Sequence, residues 1–197
     1  MNRDLFVRIV ILSVEGNKLK VFSGKHLPSA KLSRNRTLED TALSLFMDSA
    51  GLKTGSIFFE QLYTFSRKDS IEAVYYFLLP QERVNNWKDW TDCAVFEKKG
   101  NTAGDSGIID YAVTRLQWKI EYTNVVYSLL PDEFTFSRLQ SIYEAILGKP
   151  LDKRNFRKKI LSLKILKGTG EKKKSGRARP AEMYRFCERR LRYVQVL

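Results

Sequence analysis

Two cysteines, Cys93 and Cys187, and one histidine, His26, are all that 197 residues supply of the side chains most used to bind transition metals or attack substrates. The cysteines are too far apart for any zinc-ligand spacing, and two in a chain of this length build no disulfide framework. A reducing compartment suits them. A lone histidine is far more often a surface or satisfied core residue than a catalyst. No glycine-rich phosphate cradle is present, and residues 100–107 read as a flexible loop before a helix. Long apolar runs are missing as well. The strongest, residues 5–14, is broken by Arg8 and is too short for a membrane span or a signal peptide. A soluble, cytoplasmic protein without a membrane partner is therefore expected, with no internal repeat and no long linker.

Acid is scarce at one end of the chain. Residues 131–197 hold 18 Lys+Arg against 7 Asp+Glu, a net of +11 out of +13 for the whole chain. A field concentrated in this way attracts a polyanion, whereas an evenly basic surface mainly affects solubility. Regularly spaced aromatic and aliphatic residues argue that the segment is folded rather than a solvated tail.

The basic region has internal order. Residues 134–147 carry apolar side chains at helical spacing (Leu139, Ile142, Tyr143, Ile146), then Gly148-Lys149-Pro150 breaks the pattern. Thr135 and Ser137 are both possible caps, and only Ser137 has a glutamine three residues on, Gln140, to close a capping box. Asp152 is placed to cap a second helix, in which Phe156, Ile160 and Leu163 share one side. Arg154, Asn155, Lys158 and Ser162 share the other, with Arg157 on the flank. Residues 163–166 and 183–186 read as a strand pair around Gly168, Gly170, Gly176 and Pro180. Helix, turn, basic helix and basic wing form a winged helix-turn-helix, which docks on duplex DNA. The candidate DNA contacts are Lys153, Arg154, Asn155, Arg157, Lys158 and Ser162 on the helix, and Lys172, Lys173, Lys174, Arg177 and Arg179 on the wing. Arginine can pair with guanine and asparagine with adenine, but half or more of protein–DNA hydrogen bonds go to the backbone, so individual roles stay open. No aromatic stacking platform for RNA accompanies these cations.

The preceding residues read differently. Strands are predicted over 5–14, 18–22, 57–65 and 71–79, with helices over 38–50 and 108–122, the latter capped by Asp105 or Ser106. These suffice for one mixed α+β core. Pro131 marks the expected boundary, giving domains of residues 1–130 and 131–197.

Several runs are distinctive together: Lys119-Ile120-Glu121-Tyr122-Thr123, Leu129-Leu130-Pro131, Tyr143-Glu144-Ala145-Ile146-Leu147-Gly148, Leu151-Asp152-Lys153-Arg154-Asn155-Phe156-Arg157, Gly176-Arg177-Ala178-Arg179-Pro180-Ala181 and Tyr184-Arg185-Phe186. With Glu60-Gln61-Leu62-Tyr63-Thr64-Phe65 upstream, the chain closely resembles the NrtR-type Nudix-related transcriptional regulators. The resemblance implies a bacterial repressor, with a Nudix-like sensor and dimerisation domain ahead of the winged helix, acting as a homodimer on a palindromic operator near the nucleoid.

A Nudix catalytic box aligned back from Gly51 would place a glycine at Ala30, a glutamate at Arg36, Arg-Glu at Ser44-Leu45 and Glu-Glu at Asp48-Ser49. Only Asp48 is acidic. Hydrated Mg²⁺ held against a diphosphate needs several converging carboxylates, so no catalysis, metal or cofactor is expected. A residual pyrophosphohydrolase with a basic nucleic-acid-binding tail is the alternative. The resemblance suggests as effector either an ADP-ribose-like molecule or a pentose sugar. Lys25, Lys31, Arg34, Arg36 and Arg67 are the cationic candidates for the former, and Trp87, Trp90 and Asp92 the aromatic and acidic candidates for the latter.

Overall fold

The computed structural model describes residues 3–24, 26–52, 57–95, 104–174 and 180–197. Its organising strand is β1 (Asp4–Glu15), a near-continuous run of Val, Ile and Leu buried on both faces. Such a run needs cover above and below, which is the habit of a central strand flanked by helices. β1 pairs antiparallel with β2 (Lys18–Phe22) and with the short β3 (Ser29–Lys31), and parallel with β5 (Ser70–Leu78). β4 (Phe58–Ser66) extends the sheet beyond β5, and β6 (Trp90–Asp92) extends it beyond β2, giving the order β4-β5-β1-β2-β6.

One helix covers each face. α1 (Leu38–Ala50) presses Ala42 and Phe46 onto Val7, Ile9 and Ile11, and Phe46 stacks on Phe77, which stacks on Phe59. Thr37 and Asp40 form a reciprocal capping box at its start, and Gly51, at φ 62°, closes it in the left-handed region. α2 (Asp105–Tyr122) covers Val10, Leu12 and Val14 from the other side. It starts three residues earlier than its apolar pattern indicates. Asp105 lies inside the first turn and does not cap it, because its carboxylate is drawn across to the Arg8 guanidinium and to the Leu27 amide at 2.8 Å. Arg8, which interrupts the apolar run of β1, is thus held between Asp105 and Glu72.

After a 3-10 turn over Val125–Leu129, the chain forms β7 (Phe134–Thr135), α3 (Phe136–Leu147), α4 (Lys153–Ser162), β8 (Leu166–Lys173) and β9 (Ala181–Phe186). The three strands form a second sheet, ordered β7-β9-β8. Two local expectations change. Thr135, not Ser137, caps α3 by accepting from the Arg138 amide, while Gln140 turns to Glu144 and the Leu151 carbonyl. The strand expected over 163–166 begins only at Leu166, because Lys164 at φ 53° turns the chain out of α4. β8 then runs through Gly168 and Gly170, with a shifted register between Gly168 and Lys172. The final segment returns to the end of α2, where Val194 and Val196 donate their amides to Tyr122 and Glu121.

Candidate nucleic-acid interface

A recognition helix must be held rigidly at its base while one face stays open. Gly148, at φ 67°, ends α3, and its amide reaches the Glu144 carbonyl. The Glu144 carboxylate accepts from the Gln140 side chain at 2.8 Å and from the Leu151 amide at 2.9 Å. Gln140 also donates to the Leu151 carbonyl at 3.0 Å, so one side-chain pair fixes the turn between the helices. Asp152 then caps α4, accepting the Asn155 amide at 2.7 Å. On the inner side, Phe156 packs edge-on against Tyr143 and Phe136 with ring centroids 5.1 and 5.8 Å away, and Ile160 is fully buried.

The outer side carries Lys153, Arg154, Asn155, Lys158, Lys159, Leu161 and Ser162, all exposed. Arg154, Lys158 and Leu161 lie at steps of four and three and so follow one stripe. Ser162 donates its hydroxyl to the Lys159 carbonyl at 2.7 Å, and Asn155 sits at the edge, beside a shallow apolar cavity of about 310 Å³ shared with Val196 and Leu197. Arg157 is turned aside. Its guanidinium lies over the Phe136 ring at 4.8 Å and the Tyr184 ring at 5.5 Å, and it donates to the Tyr184 hydroxyl at 2.6 Å. That hydroxyl in turn donates to Glu182. Burial, then the bond to Glu182, push the Tyr184 phenol above its ordinary value. Arg157 therefore staples α4 to α3 and β9. On the wing, Lys172 and Lys173 are exposed within β8, opposite Glu182 and Ala181, and Lys174 follows the strand. Arg177 and Arg179 lie outside the described residues.

Among the described residues, the candidate effector residues are not gathered into one site. Lys25 lies outside the described residues. Arg36 donates to Ser44 at 3.0 Å, Lys31 pairs with Asp4, and Arg67 reaches Glu72 at 3.0 Å. Trp87 leans on Trp90 at 5.2 Å, and Trp90 on Phe22 at 5.7 Å. Asp92 pairs with Lys18. A cleft at the end of α1 brings Trp90 together with Ser49, Arg83, Asn85, Asn86 and Asp89, but neither Arg36 nor Arg67 lines it. At about 100 Å³ it is smaller than a typical pocket for a nucleotide-sized ligand. The Asn85, Asn86 and Asp89 cluster went unnoticed in the sequence because polar residues in a short loop look like any turn. The box positions do not fit a diphosphate-bound metal. Leu45 packs toward the core, Ser44 is engaged with Arg36, and among the described residues no group of three His, Cys, Asp or Glu side chains could hold an ion.

Residues 126–186 match the family model of the NrtR DNA-binding winged helix domain. Over 80 residues, 41% of this chain, the sequence is 40% identical to the ADPR responsive transcriptional repressor NtrR of Acinetobacter baylyi. That match spans 32%, about a third, of the curated relative's length. Among solved structures, Shewanella oneidensis NrtR complexed with a 27mer DNA superposes with a TM-score of 0.76 at 25% identity, covering 92% of this chain and 93% of that one. A MutT/nudix family protein from Enterococcus faecalis shares the fold, with a TM-score of 0.72 at 21% identity over 95% of this chain and 89% of that one. Residues 126–186 are therefore similar to the NrtR DNA-binding winged helix, and the chain as a whole is built like Shewanella oneidensis NrtR, with a Nudix-like α+β region ahead of that winged helix.

Proposed function

We propose that the chain is a transcriptional repressor that binds a palindromic operator as a homodimer, with residues 1–130 as a non-catalytic sensor and residues 131–197 as the DNA-binding domain. The observation that carries this reading is α4, whose buried Phe156 and Ile160 fix a helix that turns Arg154 and Lys158 outward. A similarly built protein, 25% identical, was solved with a 27mer DNA. A gel-shift titration on the DNA upstream of its own gene tests it. Changing Arg154 and Lys158 together to Ala should weaken specific binding at least tenfold, since each good base contact is worth about 1–3 kcal/mol. Unchanged binding by a folded double mutant would overturn the assignment.

The A. baylyi relative is named for its response to ADPR, and we extend an effector of that class to this chain. The cleft around Trp90, Asn85 and Asp89 is where such a ligand would begin to be held, and it must widen to admit one. Release of operator DNA by ADP-ribose supports this effector. Release by a pentose instead would reassign it. Catalysis is not part of the reading, because Arg36, Leu45 and Ser49 stand where carboxylates would be needed. Among the described residues no helix is long and apolar enough to cross a membrane. A cytoplasmic protein found at the nucleoid is part of the proposal, as the compartment in which operator DNA is met.

A further inference from the structure

The outward face of α4 contains one side chain that neither charge nor hydrogen bonding to DNA explains. Of the three apolar residues on this ten-residue helix, Phe156 and Ile160 are buried in the winged-helix core, whereas Leu161 is 41% exposed. It is not at the margin of the core. Counting 100° per residue, Leu161 falls within about 20° of Arg154, between Arg157 on one side and Lys158 on the other. A leucine exposed alone on a surface is ordinary. A leucine in the middle of the stripe offered to the major groove is surrounded by cations and has no apolar neighbour to lean on within α4.

The major groove offers such a side chain one apolar feature, the 5-methyl group of thymine. We propose that Leu161 is a specificity-determining residue that packs against a thymine methyl in each half-site, adding an apolar term to the charged contacts of Arg154 and Lys158. The proposal rests on α4 being the helix that enters the groove. It also fixes a distance. Seven residues along a helix rise about 10.5 Å, and base pairs are stacked about 3.4 Å apart. The thymine read by Leu161 therefore lies at most about three base pairs from the position nearest Arg154, fewer the more α4 is inclined to the DNA axis. A methyl removed from such a contact should weaken binding about three- to fivefold, the ordinary effect of one buried methyl group. Losing the leucine should erase that difference without changing the salt dependence, because no phosphate contact is lost.

The test uses duplexes selected by the full-length protein from a randomised pool, with each thymine replaced in turn by deoxyuracil, which differs only by the methyl. Wild type should lose three- to fivefold at one thymine in each half-site and nothing elsewhere. Leu161→Ala should bind thymine and uracil versions equally, whereas Leu161→Met, which keeps an apolar reach, should retain the preference. Arg154→Ala should keep the methyl dependence and lose discrimination at a neighbouring position within about three base pairs. If no uracil substitution weakens wild type, or if Leu161→Ala shows the same loss, the proposal is overturned while the DNA-binding reading stands. If no duplex is enriched over random DNA, both are overturned.

Discussion

The guanidinium of Arg138, in the first turn of α3, donates to the side-chain carbonyl of Gln81 at 2.7 Å, tying the winged helix to the 3-10 turn that follows β5. The same side chain reaches the Gly16 carbonyl at 3.1 Å and the Val14 carbonyl at 3.4 Å, at the turn between β1 and β2. Burial lowers the Arg138 pKa below its ordinary value, as befits a cation drawn out of water between two layers of structure. The turn holding Gln81 leads through Arg83 directly into the cleft that contains Asn85 and Trp90.

Arg138 and Gln81 should therefore be energetically coupled. Urea denaturation of Arg138→Ala, Gln81→Ala and the double mutant should give a coupling of about 1.5–3 kcal/mol, the range for a hydrogen bond to a charged group. If the contact also carries the effector signal, Arg138→Ala should bind operator but release it less on adding ADP-ribose. Additive stabilities and an unchanged response would show that the contact is incidental.

Lys119 illustrates a buried charge that the fold must satisfy. Its side chain is 6% exposed and donates to Glu60 at 2.6 Å, while the Tyr76 hydroxyl donates to the other oxygen of Glu60 at 2.7 Å. Burial, and then the Glu60 charge, push the Tyr76 phenol well above its ordinary value. Lys119→Ala leaves Glu60 without its cation and should cost about 3–5 kcal/mol in denaturation experiments. Glu60→Gln with Lys119→Met removes both charges and should recover most of that loss. A single-mutant cost under about 1 kcal/mol would place the pair among ordinary surface bridges.

On the wing, Lys172, Lys173 and Lys174 are expected to meet phosphates. Replacing all three by Ala should reduce the slope of log affinity against log salt by roughly three, since each neutralised phosphate contributes about 0.9. Operator and random duplexes should weaken in parallel. Loss of discrimination with the slope unchanged would mean that this strand reads bases.

Incubation of the purified protein with ADP-ribose or nucleoside diphosphate sugars in Mg²⁺ or Mn²⁺ should release no product above background by chromatography. Asp48→Ala should behave identically. Metal-dependent turnover abolished by that substitution would reinstate the hydrolase alternative.

The sequence disclosed most where a local rule and a periodic pattern agree. α1 spans residues 38–50 as its apolar spacing and Gly51 indicate, and Asp152 caps α4 as its position suggests. It disclosed least where long-range partners decide. Asp105 looks like a cap until Arg8, 97 residues away in sequence, claims its carboxylate. The seat of Arg157 over Phe136 and Tyr184 had no local sign, because those rings come from α3 and β9. Gly168 and Gly170 suggest a loop, but pairing with β9 draws them into a strand whose irregular register accommodates Gly170 at φ 84°. The parallel pairing of β1 with β5 has no local signature, because it joins segments separated by the whole of α1 and β4.

One buried cluster runs from Val10, Val14 and Leu116 of the larger sheet and its helix to Ile142, Ile146 and Phe156 of the winged helix. Recombination between relatives would cut through that shared interior. A chimera that takes the DNA-reading end from one homologue and the metabolite-sensing end from another inherits two half-surfaces shaped for absent partners. Successful exchange of operator preference should therefore be confined to a few outward residues of α4 and the wing, with everything beneath them kept from a single parent.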